Sequence, residues 1–97
     1  MRDSKRKPTH PGEVLREDVL PALDTTQAEL AKRLGVTRLS VSDLLLEKRA
    51  MSADMAVRVA KLTNTTPESW LRMQEAVELW ALERDPKGYR HIEPIAA

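Results

Sequence analysis

Cysteine is missing from the 97-residue chain, which excludes disulfides, thiolate zinc sites and thiol nucleophiles. Phenylalanine is missing too, and the aromatic set is two Trp and one Tyr. With few aromatics and few runs of β-branched residues, a sheet has little to build from. The abundant Leu, Ala, Lys, Arg and Glu favour helix instead, so the expected fold class is all-α. Glycine occurs only three times, with no Gly-rich phosphate loop among the three. Apolar runs stop after a few residues, well short of the ~20 needed to cross a bilayer. The basic start, residues 1–7 (MRDSKRK), lacks the apolar stretch of a signal peptide, so a cytoplasmic protein without membrane contact is expected. His10 and His91 lie in flanking segments with no ligand cluster around them. No enzyme, metal or cofactor is therefore expected.

What is present is unevenly charged. The net charge is +1, yet Arg2, Lys5, Arg6 and Lys7 face only Asp3 near the start. The segment 26–50 carries Lys32, Arg33, Arg38, Lys48 and Arg49 against Glu29, Asp43 and Glu47. Residues 67–85 reverse the balance, with Glu68, Glu75, Glu78, Glu83 and Asp85 against Arg72 and Arg84. Such a division suits one face that meets phosphates, or ordinary solvated helix surfaces.

Periodicity and capping residues divide the chain into a flexible basic arm (1–9), one domain (10–85) and a tail (86–97). A first helix over 12–20 carries Val14, Leu15, Val19 and Leu23 at helical spacing, and Pro21 should stop or kink it. Thr26 and Glu29 form a capping box for a second helix with Leu30, Ala31 and Leu34 inward. Gly35 ends it where a left-handed residue is wanted. Thr37 caps a third helix, about 38–46, with Val41, Leu44 and Leu45 inward. A polar connection, 47–50, leads to Ser52 and a fourth helix over 53–62, closed by Asn64. Thr66 and Pro67 open a long fifth helix that runs to about Arg84.

Residues 27–46 have the pattern of a helix-turn-helix. Ala31 is small where two helix axes cross, Gly35 supplies the turn, and Val36, Val41 and Leu44 fill the space behind the second helix. That hairpin predicts DNA binding. The stretches HPGEVLREDVLPAL, TTQAELAKRLGVTRLSVSDLL and KRAMSADMAVRVAKLTNTTPESWLRMQ also resemble HigA-type antitoxins of type II toxin–antitoxin systems. These lie within the Xre or Cro/C1-type helix-turn-helix family. The resemblance implies a five-helix, lambda-repressor-like domain that dimerises and represses its own operon. It also implies a partner toxin of the HigB type, a RelE-like ribonuclease acting on mRNA at the ribosome. The chain departs from the family pattern at Glu47, where Gly or Asn often stands, and at Asn64, where Gly is frequent.

Readout is expected from the third helix and its leading end. Arg38 has the donor fork that pairs with guanine O6 and N7. Leu39 either touches a thymine methyl or packs on the second helix. Ser40 and Ser42 suit phosphate or base contact, or are idle surface. Asp43 either accepts from cytosine N4 or holds Arg38 or Arg33 in place. Thr37 joins the leading end, and Gln27 is placed for a phosphate at a helix N-terminus. Lys48 and Arg49 suit the phosphate backbone, or are solvated loop charge, and Lys5, Arg6 and Lys7 suit it too if the arm is not idle. A dimer reading a palindromic operator, with half-sites about 10 bp apart or a multiple, would use the fifth helix through Trp70, Met73, Val77 and Trp80, with core packing the other reading for Trp70. Helix 1 with the N-terminal segment is the expected toxin-facing surface. Two other readings of the same residues are a stand-alone phage-type repressor with no toxin and a protein-interaction module that blocks its toxin with little DNA binding.

Overall fold

A computed structural model describes residues 6–96, with no description of the Pro86 side chain. The basic arm predicted at 1–9 therefore lies largely outside the described residues. Five helices form the body, followed by a short 3-10 turn at Pro86–Gly88, and no strand occurs among the described residues. Helix α1 is composite: an α-helical turn at Pro11–Val14, a π turn at Leu15–Val19 and a second α-helical turn at Leu20–Leu23. Then come α2 (Gln27–Leu34), α3 (Arg38–Leu45), α4 (Ala53–Thr63) and α5 (Pro67–Arg84).

Pro21 does not stop α1, contrary to its usual effect. An ordinary helix would press the proline ring against the carbonyl of Glu17. The π turn widens the backbone just before it, with the Leu20 N–H reaching back to the Leu15 carbonyl. The helix thus carries on to Leu23, which is exposed rather than inward.

Capping by sequence is closely followed. Thr26, Thr37, Ser52 and Thr66 each accept from the backbone N–H three residues on. The reciprocal half of the Thr26 box is not formed, because Glu29 pairs with Arg33 at 3.5 Å instead. Each of the first four helices ends in a left-handed residue: Asp24, Gly35, Glu47 and Asn64. At the end of α2 the Gly35 and Val36 N–H groups return to the Lys32 and Ala31 carbonyls. The end of α3 repeats this with Glu47 and Lys48 returning to Leu44 and Asp43. Both are Schellman closures, which satisfy carbonyls that would otherwise be orphaned.

The core lies where α1 to α4 meet, around Leu15, Leu30, Leu44, Leu45, Ala56 and Val59. Met51, in the connection before α4, is buried as well. Its N–H donates to Gln74 Oε1 of α5 at 2.8 Å, which anchors the long helix to the body. Gly12 permits the closest approach: a Cβ there would stand 1.9 Å from the Leu44 carbonyl oxygen. Beyond its first turns α5 projects outward, and the molecule measures 53 × 22 × 22 Å.

Candidate nucleic-acid interface

The hairpin of α2 and α3 is held at each helix's C-terminal end by an arginine that lies outside it. Arg58 of α4 donates from Nη1 to the Leu34 carbonyl at 2.8 Å, while its Nε meets Asp54 at 2.8 Å. It thereby clamps the C-terminal end of α2 at the Gly35 turn (φ 73). Arg16 of α1 does the same for α3, donating from Nη1 to the Leu45 carbonyl at 2.6 Å. A cation at a helix C-terminus also complements the helix dipole. Neither arginine stands out in the sequence, since each finds its partner across the fold.

This hold presents the leading end of α3 to solvent. Arg38 is exposed and makes no ion pair among the described residues. Leu39 is 68% exposed, so it does not pack on α2 and its methyl groups are free to meet a partner. Thr37 is exposed, but its hydroxyl accepts from the Ser40 N–H at 3.1 Å and lies 2.8 Å from the Ser40 hydroxyl. Those two hydroxyls shape the helix start before they contact anything else. Ser42 and Asp43 are half-buried, and among the described residues Asp43 pairs with neither Arg38 nor Arg33. Gln27 is half-buried at the first position of α2. Lys48 and Arg49 follow α3, both exposed and neither in an ion pair among the described residues.

Glu47 stands beside them and explains its own departure from the family pattern. Its φ of 62° is a conformation that glycine or asparagine takes more easily, at a cost of about 1 kcal/mol for a residue with a longer side chain. The carboxylate turns away from the loop and meets Arg16 Nη1 at 3.4 Å.

His10 anchors the other end of α1. Its Nδ1 accepts from the Gly12 N–H at 2.9 Å, and the ring is only 7% exposed. Burial pushes its pKa below the ordinary 6.5, against the opposing pull of Glu47. Since Nδ1 is an acceptor, this histidine works as the neutral cap of α1. No group of acidic or histidine residues among the described ones is placed to hold a metal ion.

The four residues assigned to a dimer face are divided by the structure. Trp70 is 4% exposed and part of the core, with Nε1 donating to Thr65 Oγ1 at 2.7 Å, so it is not a surface residue. Met73 and Val77 are half-buried, and Met73 packs against the core. Trp80 is half-buried under the Arg84 guanidinium, 4.6 Å from the ring centroid. Sequence reasoning missed Leu79 and Leu82, which lie exposed on α5 and with Glu83 and Tyr89 line a cavity of about 550 Å³.

The helix-turn-helix family matches residues 15–71. The HigA-1 antitoxin of Vibrio cholerae is 39% identical over 98% of this chain and 90% of its own length. The YbaQ helix-turn-helix transcriptional regulator of Escherichia coli is 44% identical over 98% of this chain and 84% of its own. The structure of antitoxin GraA in complex with its operator superposes with a TM-score of 0.86 at 35% identity, covering 100% of this chain and 99% of that one. The chain belongs to the helix-turn-helix family of Xre type, in its branch of HigA antitoxins. That is a family of DNA-binding proteins and not of enzymes.

Proposed function

We propose that the chain is an antitoxin that binds the operator of its own toxin–antitoxin operon as a dimer, represses it, and neutralises a HigB or RelE-like mRNA-cleaving toxin. The observation that carries this reading is the tip of α3. Arg38 and Leu39 stand exposed and unpaired on a helix whose far end is tied to the body by Arg16. A rigid helix that offers a free guanidinium and an apolar tip suits the major groove, where the guanidinium reads guanine and the leucine meets a thymine methyl. Lys48 and Arg49 add phosphate contacts, and Gln27 adds one at the start of α2. Ser40, Ser42 and Asp43 complete the face, with Thr37 setting the start of the helix.

One such face makes too few contacts for a specific site, so two copies are needed, joined through α5. Met73, Val77 and Trp80 lie along one face of that helix, and Leu79 and Leu82 offer further exposed apolar surface on another face of it. GraA in complex with its operator, and the HigA-1 relative, support the DNA and antitoxin parts of the reading. It would act in the cytoplasm, with its promoter and its toxin's mRNA substrate.

The test is titration of the dimer with its own promoter fragment, followed by fluorescence anisotropy. Arg38→Ala should weaken binding by roughly tenfold to a hundredfold and relax preference at one base position, the worth of a bidentate guanine contact. An Arg38→Ala protein that binds as tightly as the parent removes the recognition-helix assignment. Purification together with the product of the adjacent gene tests the toxin half.

A further inference from the structure

Glu47 puts a negative charge in the turn that is assigned to phosphate, directly before Lys48 and Arg49. Nothing in its own loop neutralises it. Its partner comes from α1, where Arg16 Nη1 lies 3.4 Å from Glu47 Oε2 and 2.6 Å from the Leu45 carbonyl. The Nε of the same guanidinium faces Glu17 at 2.9 Å, but the Glu17 side chain is 63% exposed and well solvated. Glu47 is the less exposed carboxylate, at 28%, and depends more on its cation. We propose that Arg16 is a positioning residue for operator binding, which neutralises Glu47 and holds its carboxylate back against α1. The turn then offers the DNA backbone only the cations of Lys48 and Arg49.

The inference rests on the operator-binding reading and adds to it a residue that touches no DNA. Without Arg16, Glu47 is a bare carboxylate beside the phosphate path. A unit charge a few ångströms from a phosphate in water weighs roughly fivefold in affinity. Salt screens that repulsion, whereas a misfolded turn would stay misfolded at any ionic strength. Salt dependence therefore separates charge masking from a purely structural role.

The experiment titrates the promoter fragment upstream of the chain's own gene with the full chain, Arg16→Gln, Glu47→Gly and the double variant, at low and at high salt. Arg16→Gln should bind about fivefold more weakly at low salt, with the deficit shrinking as salt rises. The double variant should recover to within about twofold of the parent, because the carboxylate to be masked is gone. A deficit that persists at high salt, or that Glu47→Gly fails to rescue, overturns the proposal. Should Arg16→Gln not fold, Arg16→Lys carries the test. It keeps the charge, so near-parental affinity supports the proposal, and a loss that Glu47→Gly does not rescue overturns it. No binding by the unaltered chain overturns the operator reading and this one with it. Binding that Arg16→Gln leaves untouched overturns this one alone.

Discussion

The head formed by α1 to α4 and the outer half of α5 are built on opposite terms. In the head, Leu15, Leu30, Val41, Leu44 and Val59 are each 1% exposed, and helix ends are closed by left-handed caps and reaching arginines. Along outer α5, Leu79 is 37% and Leu82 49% exposed, and the buried Trp80 Nε1 has no acceptor. The head buries its own leucines and valines within one chain, with Thr25 Oγ1 the one buried side-chain polar atom left without a partner there among the described residues. The outer helix does not, and its apolar side chains are those a second copy would cover.

Three measurements can break or sharpen this contrast. The largest effect is expected from leucine truncation. Leu15→Ala should cost about 2–5 kcal/mol in urea unfolding of the head, whereas Leu82→Ala should change the unfolding of a dissociated monomer by less than about 0.5 kcal/mol. Its effect should appear instead as weaker dimerisation in sedimentation. Comparable losses of monomer stability would erase the distinction.

A smaller pair of effects concerns glycine. Gly12→Ala drives a methyl group into the Leu44 carbonyl, and should destabilise by about 1–3 kcal/mol and loosen α1 from α3. At Gly88 a Cβ would meet no atom within 4 Å, so alanine there should leave thermal unfolding without measurable change.

The smallest effect is a pH dependence of the head. His10 has its pKa lowered by burial, so the folded state resists a proton that the unfolded chain accepts at the ordinary 6.5. Stability is therefore complete above pH 6.5 and declines as pH falls below it, until the folded-state value is passed. His10→Asn keeps a cap for the Gly12 N–H and should flatten that part of the curve. An unchanged pH profile in this variant would assign the dependence to another group.

The sequence showed what is local. Thr26, Thr37, Ser52 and Thr66 announced helix starts, Gly35 and Asn64 announced ends, and helical spacing picked out Leu30, Ala31, Leu34, Val41, Leu44 and Leu45 as core. Pro21 is expected to stop or kink the helix; it does not stop it, because the π turn just before it relieves its usual effect, and no residue type there signals that turn. Met51 was hidden in a polar connection, and its partner Gln74 looked like helix surface. Trp70 and Trp80 are both expected at the dimer face, with core packing the other reading for Trp70; burial puts Trp70 in the core and leaves Trp80 half-buried on the outer helix. On the candidate interface, exposure separates the alternatives for Leu39, while the tie between Thr37 and Ser40 is a matter of rotamers that spacing does not fix.

The two arginine clamps have a consequence for the order of assembly. Arg16 meets its carbonyl 29 residues along the chain and Arg58 meets its own 24 residues away. The hairpin between them is the most local part of the fold by sequence, and its helix ends are closed by local turns, yet each end also carries a non-local arginine contact. Loop closure must come before those bonds can form. A peptide excised over 27–45 has neither donor, and its two eight-residue helices fall below the length at which helices persist alone in water. The pose of the hairpin in the intact chain thus draws on α1 and α4 as well as on its own residues, and a hairpin cut away from them lacks both arginine contacts.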